Sequence, residues 1–141
     1  MRILIVEDEK LSQKKMQLIM QNFGECDLVA NGISAIDLFK KAWEARAPYD
    51  IITLDITLHE MSGIDVLMQI KDLESSMEIP SAKQAKIIMV TSHKDRDNIT
   101  TCLTAGCSDY IIKPFTKEPI IACLRKVFLK YAQENFSKNS D

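Results

Sequence analysis

Apolar residues along this chain alternate between two spacings. Short runs, Ile3 to Val6, Ile51 to Leu54 (broken only by Thr53) and Ile87 to Val90, are rich in β-branched side chains. Such runs, bounded by polar residues, mark strands covered on both faces. Cys26 to Ala30, closed by the turn dipeptide Asn31-Gly32, and Tyr110 to Ile112 read as two further strands. Between them the apolar residues fall near helical spacing. Leu11, Met16, Leu18, Ile19 and Phe23 define a first helix ended by Gly24, and Ile33, Ile36, Leu38, Phe39 and Trp43 a second that stops near Pro48. Ile64, Val66, Leu67, Ile70 and Leu73 define the third, with Ser62 and Asp65 spaced as a capping box. Ile99, Cys102 and Leu103 precede Gly106, and Ile120, Ile121, Leu124, Val127, Phe128 and Tyr131 give the last helix. Ser75 to Ala85, which contains Pro80, reads as one long loop, and Asn135 to Asp141 as a frayed polar tail.

Five β-α units joined by crossovers of about 12 or more residues specify an α/β fold: a doubly wound five-stranded parallel sheet in a three-layer sandwich with right-handed connections. The economical strand order is 2-1-3-4-5, which sets the first and third strands side by side at the switch point. A chain of 141 residues fits one domain of the usual ~100–150 residues. We expect that domain over residues 1–132 and a polar tail over 133–141.

This topology places chemistry at one sheet edge. Glu7-Asp8 directly follows the first strand, Asp55 the third, and Lys113-Pro114 the fifth. Side chains at the carboxyl ends of parallel strands converge on one crevice. Carboxylates gathered there repel, and the remedies are a shared proton or a hard divalent cation with oxygen ligands, such as Mg2+. The constellation reads as a metal-assisted phosphoryl acceptor. Taken singly, Glu7-Asp8-Glu9 would serve as acids at a helix N-terminus, and Lys113-Pro114 as a strand terminator. The site reading is preferred because all these groups meet at one edge, where a cis Pro114 would aim Lys113 into the pocket.

Composition narrows the function classes. The chain is 46% hydrophobic and 27% charged with a net charge of -2, and no basic bias points to nucleic acid. Its longest apolar stretches are four or five residues, against the ~20 needed to cross a bilayer, so a cytoplasmic protein without membrane contact is expected. Cys26, Cys102, Cys107 and Cys123 lack zinc-type spacing with His59 and His93 and read as reduced, mostly buried thiols. The methionines read as scattered core filler.

The sequence resembles the receiver domains of two-component response regulators from residue 1 to about 132. The resemblance rests on Leu4-Ile5-Val6-Glu7-Asp8, Ile52-Thr53-Leu54-Asp55, Met61-Ser62-Gly63, Met89-Val90-Thr91-Ser92, and the stretch from Gly106 through Ser108-Asp109-Tyr110 to Lys113-Pro114-Phe115. It implies a flavodoxin-like (βα)5 sandwich and a single-domain, stand-alone regulator, since no effector domain follows Phe128 to Asp141. Asp55 corresponds to the phosphoacceptor, charged by a histidine kinase or a histidine-containing phosphotransfer protein. Asp8 and Asp55 would hold Mg2+ with the backbone carbonyl of Thr57, and Glu7 would act through bound water. Lys113 would address the phosphoryl oxygens or Asp55. Thr91 would hydrogen-bond the acyl phosphate, and Tyr110 would turn inward behind it. The changed surface of the fourth helix, fifth strand and fifth helix would then bind a downstream protein.

The chain departs from the family at His59, where proline is common, at Ser92, where alanine is preferred, and in the long Glu74 to Lys86 connection. Thr57 and His93 fall where phosphoryl lifetime is tuned. Two other readings compete: a receiver-like scaffold that takes no phosphate, disfavoured because every charged site residue is present, and a small phosphatase with an aspartyl nucleophile. The latter wants a second Asp two positions after the nucleophile, where Thr57 stands. A flavin carrier is disfavoured because no Ser/Thr/Gly-rich phosphate loop follows the first strand.

Overall fold

The computed structural model describes residues 1–92 and 97–139. Within them, strands β1 (Arg2–Val6), β2 (Glu25–Val29), β3 (Ile51–Asp55), β4 (Lys86–Thr91) and β5 (Asp109–Ile112) form one parallel sheet in the order β2-β1-β3-β4-β5. Helices α1 (Lys10–Met20), α2 (Gly32–Glu44), α3 (Gly63–Ser76), α4 (Ile99–Ala105) and α5 (Lys117–Asn139) alternate with the strands. The doubly wound sheet in the 2-1-3-4-5 order is therefore the architecture observed.

Strand alternation divides the apolar runs between two cores. Leu4, Val6, Ile52, Leu54, Ile87 and Met89 face α2 and α3, packing with Phe39, Leu67 and Ile70. Ile3, Ile5, Ile51, Ile88, Val90 and Ile111 face α1 and α5, packing with Met20, Ile120 and Leu124. Burial on both faces is the reason these strands read as apolar runs.

Helix faces were less legible. Leu11 and Leu18 are 77% and 54% exposed, and Ile33 is 60% exposed. The buried positions of α1 are Met16, Ile19 and Met20, and those of α2 include Ala35, Ile36, Phe39 and Ala42. The methionines divide as well: Met16, Met20 and Met89 are core, while Met68 and Met77 are exposed. All four cysteines are free, and Cys26 alone of them is only half-buried. None of the helices among the described residues is long and apolar enough to cross a membrane.

Two segments correct the sequence reading. The expected loop from Ser75 begins inside α3 and contains a short 3-10 helix, Ser81–Lys83. It is pinned by buried Glu74, which accepts from the Ala85 N–H at 2.9 Å and pairs with Lys71 at 3.1 Å. Local spacing cannot reveal such a long-range anchor. The tail expected from residue 133 instead continues α5 as helical backbone to Asn139. His93 lies outside the described residues.

Local signals set the helix ends. The Asn31 side chain accepts from the Ser34 N–H at 2.8 Å, and Ser62 Oγ from the Asp65 N–H at 3.3 Å, each satisfying an otherwise orphaned donor. Gly106 closes α4 with φ 107°. A Cβ there would touch only the flexible Lys71 side chain, 3.1 Å away, so the backbone conformation sets the cost. Gly106→Ala should lower stability by about 1 kcal/mol, visible as a fall of a few degrees in Tm; an unchanged Tm would contradict a strained left-handed position.

Candidate functional site

Register builds the site. Val6 pairs with Leu54, and Asp55 with Val90, so Glu7, Asp8 and Asp55 emerge at one level from adjacent strands β1 and β3. Their carboxylate oxygens lie within 4.8 Å of one another. Glu7 and Asp55 are only 5% and 6% exposed, whereas Asp8 is half-buried. The cis Lys113-Pro114 bond follows β5, and Lys113 donates to Asp55 Oδ2 at 2.9 Å and to Glu7 Oε1. An open depression of about 770 Å³, lined by residues including Asp8, Asp55, Thr57, His59, Ser92 and Lys113, leads to this cluster.

Electrostatics follow from burial. Desolvation, and then the adjacent Asp55 carboxylate, raise the Glu7 pKa to about 8. Lys113 is likewise buried, which opposes its charge, but hydrogen bonds to Glu7 and Asp55 outweigh that and hold its pKa above the ordinary lysine value. Burial thus favours the protonated form of Glu7, beside the Lys113–Asp55 ion pair. Glu7 Oε2 is buried and accepts no hydrogen bond. An orphaned oxygen beside two further carboxylates matches the all-oxygen donor set of a hard divalent cation.

The helix-capping alternative loses support here. Glu9 is the N-cap of α1 but makes no capping bond, and the Glu7 carboxylate is committed to Lys113. The expectation that Glu7 acts mainly through water overlooked this direct contact, which spans 106 positions in sequence. Sequence reasoning also missed that His59, though its side chain is 87% exposed, sets Nε2 3.4 Å from Asp8 Oδ2. The Thr57 N–H donates to Asp55 Oδ1 at 3.0 Å and orients the carboxylate.

Thr91 ends β4, fully buried, with its hydroxyl donating to the Ser92 carbonyl at 3.0 Å. Tyr110, on β5, pairs with Met89 of β4 and is 38% exposed. Thr91 therefore occupies the strand end beside Asp55, and Tyr110 is turned outward. Gly63 opens α3 against the site: a Cβ there would meet the Asp55 carbonyl oxygen at 2.0 Å.

Residues 3–125 match the response regulator receiver domain family. The chain is 30% identical to the chemotaxis protein CheY of Bacillus subtilis, across 89% of this chain and 95% of that protein. It is 24% identical to hybrid signal transduction histidine kinase I of Dictyostelium discoideum, where the match covers 99% of this chain but 8% of that protein. The fold is shared with the signal receiver domain of a putative LuxO repressor protein from Vibrio parahaemolyticus, with TM-score 0.75 and 23% identity across 96% and 95% of the two chains. A CheY-like receiver domain protein from Methanospirillum hungatei gives TM-score 0.77 and 22% identity across 94% and 97%. With the acidic cluster, the lysine and the sheet order in the places the resemblance requires, the chain belongs to the response regulator receiver domain family of two-component signalling.

Proposed function

We propose that this receiver domain is a Mg2+-dependent phosphoacceptor switch working in the cytoplasm, with Asp55 as the acceptor. The observation that carries the reading is Lys113 Nζ held 2.9 Å from Asp55 Oδ2 beside the three-carboxylate cluster. The donor is a phosphohistidine of a histidine kinase or a histidine-containing phosphotransfer protein. An Asp55 carboxylate oxygen bonds to phosphorus as the P–N bond breaks, and the imidazole keeps the electron pair. When bound, Mg2+ would supply positive charge to offset the negative charge building on the equatorial phosphoryl oxygens. Asp8 and Asp55 would hold it together with the Thr57 carbonyl, with Glu7 contributing through water once its proton is lost.

The remaining steps belong to the chain. Lys113 moves its ion pair from the carboxylate to the phosphoryl oxygens, and Thr91 turns its hydroxyl from the Ser92 carbonyl to the same group. Tyr110 then turns inward into the space vacated, altering the α4-β5-α5 surface that a downstream protein binds. The domain over residues 1–132 is thus a signalling unit that assists only its own phosphorylation and dephosphorylation. It is not an enzyme acting on other substrates, and it binds neither nucleic acid nor membrane.

Incubation with acetyl phosphate and Mg2+, followed by intact mass, should add one phosphoryl group to the wild type and none to Asp55→Asn. Equal gain by the mutant would move the acceptor elsewhere. No gain by the wild type, with acetyl phosphate or a phosphorylated kinase, would leave the scaffold reading.

A further inference from the structure

At the other end of the sheet, where β3 and β4 begin, lies a cavity of about 440 Å³, within the roughly 300–1,000 Å³ range of small-molecule sites. Strands of five and six residues separate it from Asp55 by about 15–20 Å at ~3.3 Å per residue. Its walls combine the aromatic side chains of Trp43, Tyr49 and Phe128 with the cations Arg46, Lys83 and Lys86. The α3-β4 connection builds one side, since the 3-10 helix Ser81–Lys83 is held by the buried Glu74 anchor.

The floor is preorganised. The Tyr49 hydroxyl donates to Asp27 Oδ2 at 2.6 Å, and the Arg2 guanidinium stacks 4.6 Å from the Tyr49 ring centroid while pairing with Asp27 at 2.9 Å. The one carboxylate in the lining, Asp50, already accepts from the Arg2 N–H at 2.8 Å. Neither Arg46 nor Lys83 has an ion-pair partner among the described residues. The lining is therefore aromatic with a net positive charge.

Arg46 is placed at the cavity by the end of α2. It follows α2 with φ 58°, and its N–H donates to the Trp43 carbonyl at 3.0 Å. Glycine is the ordinary occupant of such a helix-terminating left-handed position. A non-glycine residue is held there at a cost, as Glu78 is after α3 with φ 54°.

We propose that this cavity binds a nucleoside monophosphate: the planar base against Trp43 and Phe128, the phosphate on Arg46 and Lys83. The site is independent of the phosphoacceptor reading, and its test needs no phosphorylation.

Trp43 is the sole tryptophan of the chain, so its emission reports the cavity directly. Titration with 5′-AMP, excited at the red edge of indole absorption, should give a saturable change in Trp43 fluorescence that weakens as NaCl is raised. Adenosine and inorganic phosphate should each bind at least tenfold more weakly than AMP, since each supplies half of the contacts. Lys83→Glu should weaken AMP binding at least tenfold. Arg46→Gly should do the same while melting no lower than wild type, because glycine relieves the left-handed backbone. The inference is overturned if AMP gives no saturable change up to millimolar concentration, if adenosine or phosphate alone binds as tightly, or if Arg46→Gly binds AMP as wild type does.

Discussion

Gly63→Ala should destabilise the domain by about 3 kcal/mol and lower Tm by roughly 10 °C. Helix propensity argues the opposite sign, since alanine is favoured over glycine by up to ~1 kcal/mol in a helix. Packing decides the outcome. A Cβ on Gly63 would lie 2.0 Å from the Asp55 carbonyl oxygen and 2.8 Å from both the Asp55 carbonyl carbon and Ile56 Cα. All three are backbone atoms, so no side chain can swing away. The Gly63 N–H also donates to the Ile56 carbonyl at 2.8 Å, and the Ile56 N–H to the Val90 carbonyl at 3.0 Å, so relief of the clash disturbs the sheet edge. The same displacement shifts Asp55 from Lys113, and phosphorylation from acetyl phosphate should slow in parallel. Thermal melts settle the sign: a variant that melts at or above wild type would show that the loop after β3 yields freely.

Stability should fall as pH rises from about 5 to 8, and Glu7→Gln should remove most of that slope. The Glu7 pKa is about 8 in the folded protein against 4.5 for a free glutamate side chain. Between those values the folded state keeps a proton that the unfolded chain has released. A raised carboxyl pKa thus contributes stability that is fully present below about 4.5 and is lost as pH rises through about 8, with a slope of up to ~1.4 kcal/mol per pH unit. Lys113, also raised, stays charged throughout this window and does not offset the slope.

Glutamine keeps a hydrogen-bonding side chain without the proton equilibrium. Glu7→Gln should therefore melt higher than wild type at pH 8 and nearly alike at pH 5.5. MgCl2 at ~100 times its dissociation constant should stabilise wild type by ~2.7 kcal/mol, more at pH 8 than at pH 6 because cation and proton compete for the same oxygens. Melts at matched ionic strength test both arms. A wild type equally stable at pH 5.5 and 8, or a variant with the same slope, would mean that Glu7 is ionised in the folded protein.

The sheet and its acidic edge were open to sequence reading because both depend on local order. Ile3 to Val6 is apolar at every position and Ile51 to Leu54 at all but Thr53, as expected of strands buried on two faces, and parallel topology sends whatever follows such strands to one crevice. Glu7, Asp8, Asp55 and Lys113 are therefore neighbours by topology before any coordinate is known. Tertiary structure decided matters that depend on distance across the chain. Leu11 and Leu18 fit a helical stripe, yet both are exposed, because the neighbouring elements and not the spacing choose the buried face of α1. The Ser75 to Ala85 segment carries no periodicity, and contacts such as the buried Glu74 carboxylate reaching the Ala85 N–H and Gln84 reaching the Ile79 carbonyl order it. The Glu7–Lys113 contact joins residues 106 positions apart; the proton it retains comes from burial, a property of the packed molecule that local sequence does not encode. The aromatic, cationic cavity at the opposite end likewise draws on α2, the α2-β3 and α3-β4 connections, β4 and α5, segments whose own patterns report their helices, strands and turns but not the space enclosed between them.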